Sequence, residues 1–409
     1  MIDSTMDRLT ELQVSQKINE IPEALSVYFN QLVYDLKRKK QDITTLSLGE
    51  AFFKIPYFDF QRLDFDRGYH YSDTKGLPGL REKIANYYCK QYETSISEDN
   101  IIISAGSKMI IYMCMQAILN PNDEVLIHEP AWLSYKEQAH IVGAEVRSVP
   151  FFHGCEHFHK FITDKTRMII INNPNNPAGR TYTKDELLNL YHLCHSHNIY
   201  LLIDEAYSDF VVDNSFTSIA KLVPNLKGVI VTNSLSKNMG MSGWRIGYAI
   251  ADQPILSALI KLNQHLITCA PTILQQYVTE YFDDILSHTL IQVKDVVKKR
   301  NHIATKMSQL GLDYLPGSST FYFFVKTDSY EGNIHDLALY LLLEKGIAVV
   351  PGSAYGKSTS QFLRISIGTE STERIEKALL KLRETLTGPK INAADVRLKM
   401  KQFKLSEFS

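Results

Sequence analysis

Five apolar runs in this chain stop in the same way. Ile101-Ile-Ile-Ser104, Val125-Leu-Ile-His128, Met168-Ile-Ile-Ile171, Tyr200-Leu-Leu-Ile203 and Val229-Ile-Val231 are short and aliphatic, and each soon gives way to Gly, Pro, Asn, Asp or Ser. Unbroken apolarity, rather than alternation, is what strands buried on both faces require, and helical patterns separate several of these runs. The pattern predicts an α/β fold with a mostly parallel sheet, in which ligands bind beyond the carboxyl ends of the strands.

The residues at those ends are the candidate site. After Val231 the chain reads Ser234-x-Ser236-Lys237 and then Gly243-Trp-Arg245-Ile-Gly247. An amine in such a loop can condense with a carbonyl, and Ser234, Ser236 and Arg245 carry the donors and charge that suit a phosphate. A lone Ser-x-Lys is more often a solvated loop lysine, so partners elsewhere must decide. Ile101 to Ser104 runs into Gly106-Ser107-Lys108 and a helical pattern, which reads either as an anion site at a helix start or as a serine N-cap. Trp132 follows a proline turn and is placed either to stack on a flat ring or to fill the core. Asn176 stands in a turn of four asparagines and two prolines, where it can bond a ligand or simply shape the turn. Asp204 and Tyr207 end the fourth run. Arg364 sits in the apolar stretch Phe362 to Ile367 and needs a carboxylate or phosphate, from a ligand or from a structural salt bridge.

Several function classes are excluded on composition. A net charge of −1 gives no field to draw nucleic acid or an anionic membrane, and the basic cluster Lys37-Arg-Lys-Lys40 reads as a solvated helix end. No apolar run approaches the ~20 residues of a membrane span. The five cysteines are scattered without a Cys-x-x-Cys pair, so no metal site is expected and a reducing cytoplasm is the simplest home. No Gly-x-Gly-x-x-Gly turn supports a nicotinamide oxidoreductase, and the first 45 residues are unsuited to a DNA-binding module.

Around this core the sequence divides. Ala24, Leu25, Tyr28, Phe29, Leu32, Val33 and Leu36 repeat at helical spacing, and Gly49 permits a tight turn or close approach to a ligand. Tyr69 to Arg81 is turn-rich, with Tyr71 able to line a pocket. Residues 257–300 read as helical, with a long helix through Val293, Val296 and Val297 linking two domains, and strands are expected at 317–325, 346–350 and 362–367. The expected division is 1–55 as an N-terminal arm and part of a small domain, 56–292 as a large domain, 293–388 as the small α/β domain, and 389–409 as a polar tail with a weak amphipathic helix at Val396, Met400 and Phe403.

Taken together, Asn176-Pro-Ala-Gly179, Asp204-x-x-Tyr207, Ser234-x-Ser236-Lys237, Gly243-Trp-Arg245-Ile-Gly247 and Arg364 resemble the fold-type I, pyridoxal-phosphate-dependent aminotransferases of class I/II, over about residues 49–367. The resemblance implies a large three-layer domain plus a smaller α/β domain, and pyridoxal 5′-phosphate held on Lys237 as a Schiff base. Asp204 is implied to pair with the pyridine nitrogen, Tyr207 and Asn176 to bond the phenolic oxygen, and Trp132 to stack on the ring. Gly106, Ser107, Ser234, Ser236 and Arg245 are implied to hold the phosphate, with Lys108 beside them and Tyr71 reaching in from the partner of a homodimer. Gly49, Lys108, Trp132, Asn176 and Arg364 would contact the substrate, Arg364 through its α-carboxylate. Lys108 and the spacing Trp132-x-x-Tyr135 resemble the aspartate aminotransferase-like subgroup, which points to an acidic or aromatic amino acid. The sequence departs from the family at Gly49-Glu-Ala-Phe, where Gly-x-Pro-Asp is usual, and at Ala178, where threonine is usual. The implied reaction is ping-pong transfer of an amino group between an L-amino acid and a 2-oxo acid, with elimination at Cβ or Cγ by a lyase as the alternative.

Overall fold

A computed structural model describes residues 14–212 and 215–408. In chain order its strands are β1 (Thr44–Thr45), β2 (Ile101–Ser104), β3 (Glu124–His128), β4 (Glu145–Val149), β5 (Thr166–Asn172), β6 (Tyr200–Asp204), β7 (Val229–Ser234), β8 (Gly247–Ile250), β9 (Tyr322–Lys326), β10 (Ile347–Ala348), β11 (Val350–Pro351) and β12 (Phe362–Ser366). Seven form one sheet in the order β2-β8-β7-β6-β5-β3-β4. Only β8 runs against its neighbours, so the sheet is mostly parallel, as the unbroken apolar runs require.

Successive side chains along these strands enter different cores. Ile169, Ile171, Leu201, Ile203, Val229 and Val231 pack on one face with the helices Pro78–Tyr92 and Lys184–Ser196. Met168, Ile170, Leu202 and Ile230 pack on the other, against Ser107–Ile118, Ser134–Val142 and Gln253–Leu266. Burial on both faces makes the three-layer arrangement and leaves the strand ends as the place where polar groups can gather.

A second core joins distant parts of the chain. Phe29, Leu32 and Leu36 of the helix Leu25–Arg38 meet Val293, Ile303 and Met307, the strands β9 and β12, and the helices Ile334–Lys345 and Thr372–Leu386. Its sheet is antiparallel, in the order β11-β12-β9, with β1 and β10 paired separately. The stretch 346–350, expected as one strand, is therefore two, because the chain passes from one sheet to the other at Val349. The expected helix at 257–300 breaks between Leu266 and Thr272, where Pro271 restarts it, and the helical run from there to Gln309 is kinked at Tyr281. Of the expected strand 317–325 only β9 pairs, since Gly317 to Ser319 lie against the turn at Gly179, with Ser319 N–H donating to the Gly179 carbonyl at 3.0 Å.

The segment expected as a polar tail is folded onto this core. Asn392 caps a helix at Ala393–Gln402, which buries Val396 and Met400 beside the helix Ile334–Lys345. Beyond it Ser406 accepts a hydrogen bond from Tyr28 at 3.0 Å, and Phe408 packs on the Tyr28 ring.

Candidate functional site

The turn after β5 sorts its four asparagines by what they bond. Asn172 donates to the Asp204 carbonyl at 2.7 Å and accepts from the Asn176 N–H at 2.6 Å. Asn173 accepts from the Tyr182 N–H, and Asn175 spans from the Pro130 carbonyl to the Ala178 N–H. Those three hold the turn in shape, although the Asn173 Nδ2 has no partner among the described residues. Asn176 is left over: its amide donates to the Tyr207 hydroxyl at 3.2 Å, and its buried Oδ1 has no partner among the described residues.

Asp204 closes β6 inside the protein. Its carboxylate accepts from the Tyr135 hydroxyl at 2.6 Å and from the Ala206 N–H at 3.1 Å. Burial pushes its carboxyl above the usual carboxylate range, with those two bonds and the Lys237 charge opposing. A nearby cation would restore the charged form. The Tyr207 hydroxyl lies 3.0 Å from that of Tyr322 on β9, and burial raises it well above the ordinary phenol.

Lys237 follows β7 and donates to the Gly49 carbonyl at 2.6 Å, with its ammonium 5.4 Å from the Tyr207 ring centre. Burial pushes its amine down to about 8; Glu50 and Asp204 oppose that shift, while Arg364 and Arg245 add to it. An amine so placed has a substantial neutral fraction near neutral pH, as a nucleophile toward carbonyls needs.

The phosphate-type elements converge on one end of the cavity. Gly106, at φ 84°, precedes the helix Ser107–Ile118 and supplies no side-chain cap, so the helix start keeps free N–H groups and the serine N-cap does not form. Ser234 donates to Ser236 at 2.7 Å. Arg245 takes a left-handed backbone and is braced on the Ser242 carbonyl at 2.8 Å. A Cβ at Gly106 would collide with its guanidinium, and one at Gly247 with the Ser107 N–H, so both glycines are set by close approach.

Gly49, Glu50, Ser107, Lys108, Trp132, Asn172, Asn176, Asp204, Tyr207, Ser234, Ser236, Lys237, Ser242 and Arg245 line a single cavity of about 500 Å³. Residues expected together from five strand ends are thus together. Trp132 is half-buried, not a core residue, with the Lys108 ammonium 5.2 Å from its ring centre. Arg364 is 3% exposed, donates to the Ser47 carbonyl, and lies between the rings of Tyr322 at 4.8 Å and Tyr355 at 5.2 Å. Its Nε has no partner among the described residues, and no carboxylate satisfies it there, so the salt-bridge alternative falls away. Tyr71 stands apart from the cavity within this chain, 84% exposed. The sequence does not mark Tyr322 or Glu50 as site residues, and it marks Tyr135 only by its spacing from Trp132. The lone hydroxyl within Phe321-Tyr322-Phe323-Phe324 was the available signal for the first.

The family model for aminotransferase class I and II matches residues 36–382. The chain is 30% identical to the aspartate aminotransferase of Thermotoga maritima over 91% of this chain and 99% of that protein. It is likewise 30% identical to a probable aspartate/prephenate aminotransferase of Aquifex aeolicus, over 86% and 93% of the two chains. Among solved structures, aspartate aminotransferase from Thermus thermophilus with maleate superposes at a TM-score of 0.84, with 27% identity, over 91% of this chain and all of that one.

Proposed function

The chain belongs to the class I and II aminotransferases, and from that premise we propose that the cavity around Lys237 binds pyridoxal 5′-phosphate and transfers the amino group of an acidic or aromatic L-amino acid to a 2-oxo acid. The observation that carries this reading is one cavity holding a lysine whose amine is pushed down to about 8 near a buried carboxylate that forms no salt bridge among the described residues.

The residues present fit that group. Lys237 would hold its carbonyl carbon. Asp204, fixed by Tyr135, would accept from the ring N–H and gain the positive charge its buried carboxylate lacks. Tyr207 and Asn176 would bond the phenolic oxygen, and Trp132 would cover the ring. The free N–H groups at Ser107, with Ser234, Ser236 and Arg245, would take the phosphate. When bound, the cofactor supplies a carbonyl for the amino group and an electron-withdrawing ring. Lys237, released from that carbonyl, would carry the proton to and from the substrate's Cα. Arg364 would accept the α-carboxylate, as its free Nε and aromatic brackets suit a planar anion. Lys108 at the cavity mouth suits a distal carboxylate, in keeping with a solved relative that holds the dicarboxylate maleate.

Two organisational readings go with it. Phe52, Tyr57, Tyr69 and Tyr71 leave an aromatic surface beside residues 52–71, which supports a homodimer in which Tyr71 meets the neighbouring site. The two cores support a boundary near residue 293, with the helix at Ala393–Gln402 joined to the small domain. The five unpaired cysteines suit a cytoplasmic setting.

Incubating the purified protein with 2-oxoglutarate and each L-amino acid in turn, and measuring glutamate formed, tests the reading. Aspartate or an aromatic donor should give the highest rate. Ammonia and a keto acid released without any acceptor would overturn it in favour of elimination.

A further inference from the structure

The segment Asp204-Glu205-Ala-Tyr207-Ser208-Asp209 sends its polar groups two ways. Asp204 and Tyr207 face the cavity. Glu205, Ser208 and Asp209 turn beneath it, where they meet the tyrosines of the helix Pro78–Tyr92 and the asparagines on either side of Lys237. Asp209 is the hub. One carboxylate oxygen accepts from Tyr87 and Tyr92, each at 2.6 Å, and the other accepts from the Asn238 amide at 2.8 Å.

From there the network continues. The Tyr92 hydroxyl lies 2.8 Å from that of Ser208, and Asn233 donates to Tyr88 at 2.7 Å and to Ser208 at 3.4 Å. Tyr88 donates to Glu205 at 3.3 Å, and Glu205 also accepts from Ser218 and the Ile219 N–H. The Asn233 side-chain Oδ1 accepts from the Ser234 N–H at 2.7 Å. The residue after Lys237 and the residue after Asp204 thus belong to one hydrogen-bonded set.

We propose that Asp209 is a positioning residue for Lys237, acting through Asn238. A carboxylate only accepts, so it fixes which end of the Asn238 amide faces it; Asn238 is 6% exposed and adjoins the lysine in the chain. The tyrosines hold Asp209 from a helix that contributes nothing to the cavity lining, so the lysine's backbone is anchored from outside the site. Loss of that anchor frees Lys237 to reach water without removing any group that touches ligand.

The inference rests on the proposed role of Lys237, and the charge and anchoring effects of Asp209 have opposite signs. Removing a nearby negative charge lowers an amine's pKa, whereas letting the amine solvate raises it toward the ordinary lysine value. Lys237 otherwise faces Glu50, Asp204, Arg364 and Arg245, all of which stay in place. The measurement is the pH dependence with which cofactor-free protein captures pyridoxal 5′-phosphate, followed by visible absorbance. In Asp209→Ala the midpoint should rise by about half a unit or more, and kcat of the loaded enzyme should fall about tenfold with KM within about twofold. Asn238→Ala should do the same, and the double variant no more than either alone. In Asp209→Asn, which keeps an acceptor and the shape but not the charge, the midpoint should not rise above the wild-type value. A midpoint that falls or stays in both alanine variants overturns the proposal. Should Asp209→Ala not fold, Asn238→Ala with Tyr87→Phe decides, because an unmoved midpoint in both is equally fatal. No absorbing adduct in the wild-type protein would instead sink the proposed function itself.

Discussion

At the ends of β5, β6 and β7 most polar side chains already bond one another, with Asn176 Oδ1 left over, whereas on β9 and β12 the Arg364 guanidinium is buried between rings with its Nε unmet among the described residues. Asp204 has Tyr135, Asn176 has Tyr207, and Ser234 has Ser236 before any ligand arrives. Self-satisfied groups hold their geometry at no cost on binding, while a buried unmet donor gains most when a ligand supplies the missing acceptor. On the proposed function, the first region would keep a resident group in place and the second would discriminate among molecules that come and go.

The largest break in this contrast is at Lys237. Lys237→Ala removes the one amine in the first region, and kcat should fall by about 10⁴-fold or more, with loss of the visible absorbance of cofactor bound to the protein. In the wild-type protein capture of pyridoxal 5′-phosphate should quicken as pH rises and level off above about 8, because only the neutral amine attacks and its folded-state pKa lies near that value. A flat profile between pH 6 and 10, on the order of four units, would place the reacting amine elsewhere.

Arg364→Leu tests the second region. The leucine fills apolar space but offers no donor, so substrate binding alone should suffer: KM for amino acid should rise about a hundredfold, near 3 kcal/mol, while the bound-cofactor spectrum stays as it was. A changed spectrum with normal KM would reverse the assignment of the two regions.

A smaller effect is expected where the first region is self-satisfied. Tyr135→Phe takes from Asp204 a bond that lowers its carboxyl, which burial already holds high, so that carboxyl should rise further. The acid limb of the pH–rate profile should move to higher pH and kcat should drop about tenfold at neutral pH. An unmoved limb would mean that Asp204 does not titrate in the working range.

How much of this was legible in the sequence follows from the same contrast. Met168 to Ile171 and Val229 to Val231 announce a sheet buried on both faces, and a strand so buried puts its next polar residue at the edge, which groups Asp204, Asn176 and Lys237 from sequence alone. Which asparagine was free could not be read, because Asn172, Asn173 and Asn175 differ from Asn176 only in their bonds. Taken alone, Ser107 favours a cap over an anion site, and it is Gly106 that holds the N-cap position, without a side chain. The second region was harder. Arg364 betrayed itself as a charge in an apolar strand, but Tyr322 was one hydroxyl in an aromatic run, and nothing local says that β9 faces the Tyr207 hydroxyl.

Least legible of all was the end of the chain, and it carries the smallest effect. Val396, Met400 and Phe403 have helical spacing but do not say what they cover: Val396 and Met400 lie beside the helix Ile334–Lys345, and the residues after the helix reach Tyr28, more than 350 residues earlier in sequence. Phe408, packed on Tyr28 at 5.1 Å between ring centres, is the outermost part of that contact. Phe408→Ala should cost about 1 kcal/mol in denaturant unfolding and leave kcat within about twofold, since the ring supports the second core and touches neither Arg364 nor Tyr322. If instead KM for amino acid rises while unfolding is unchanged, the half-buried Phe408, which lines a second cavity together with Trp132 and Tyr355, belongs to the discriminating region rather than to its support.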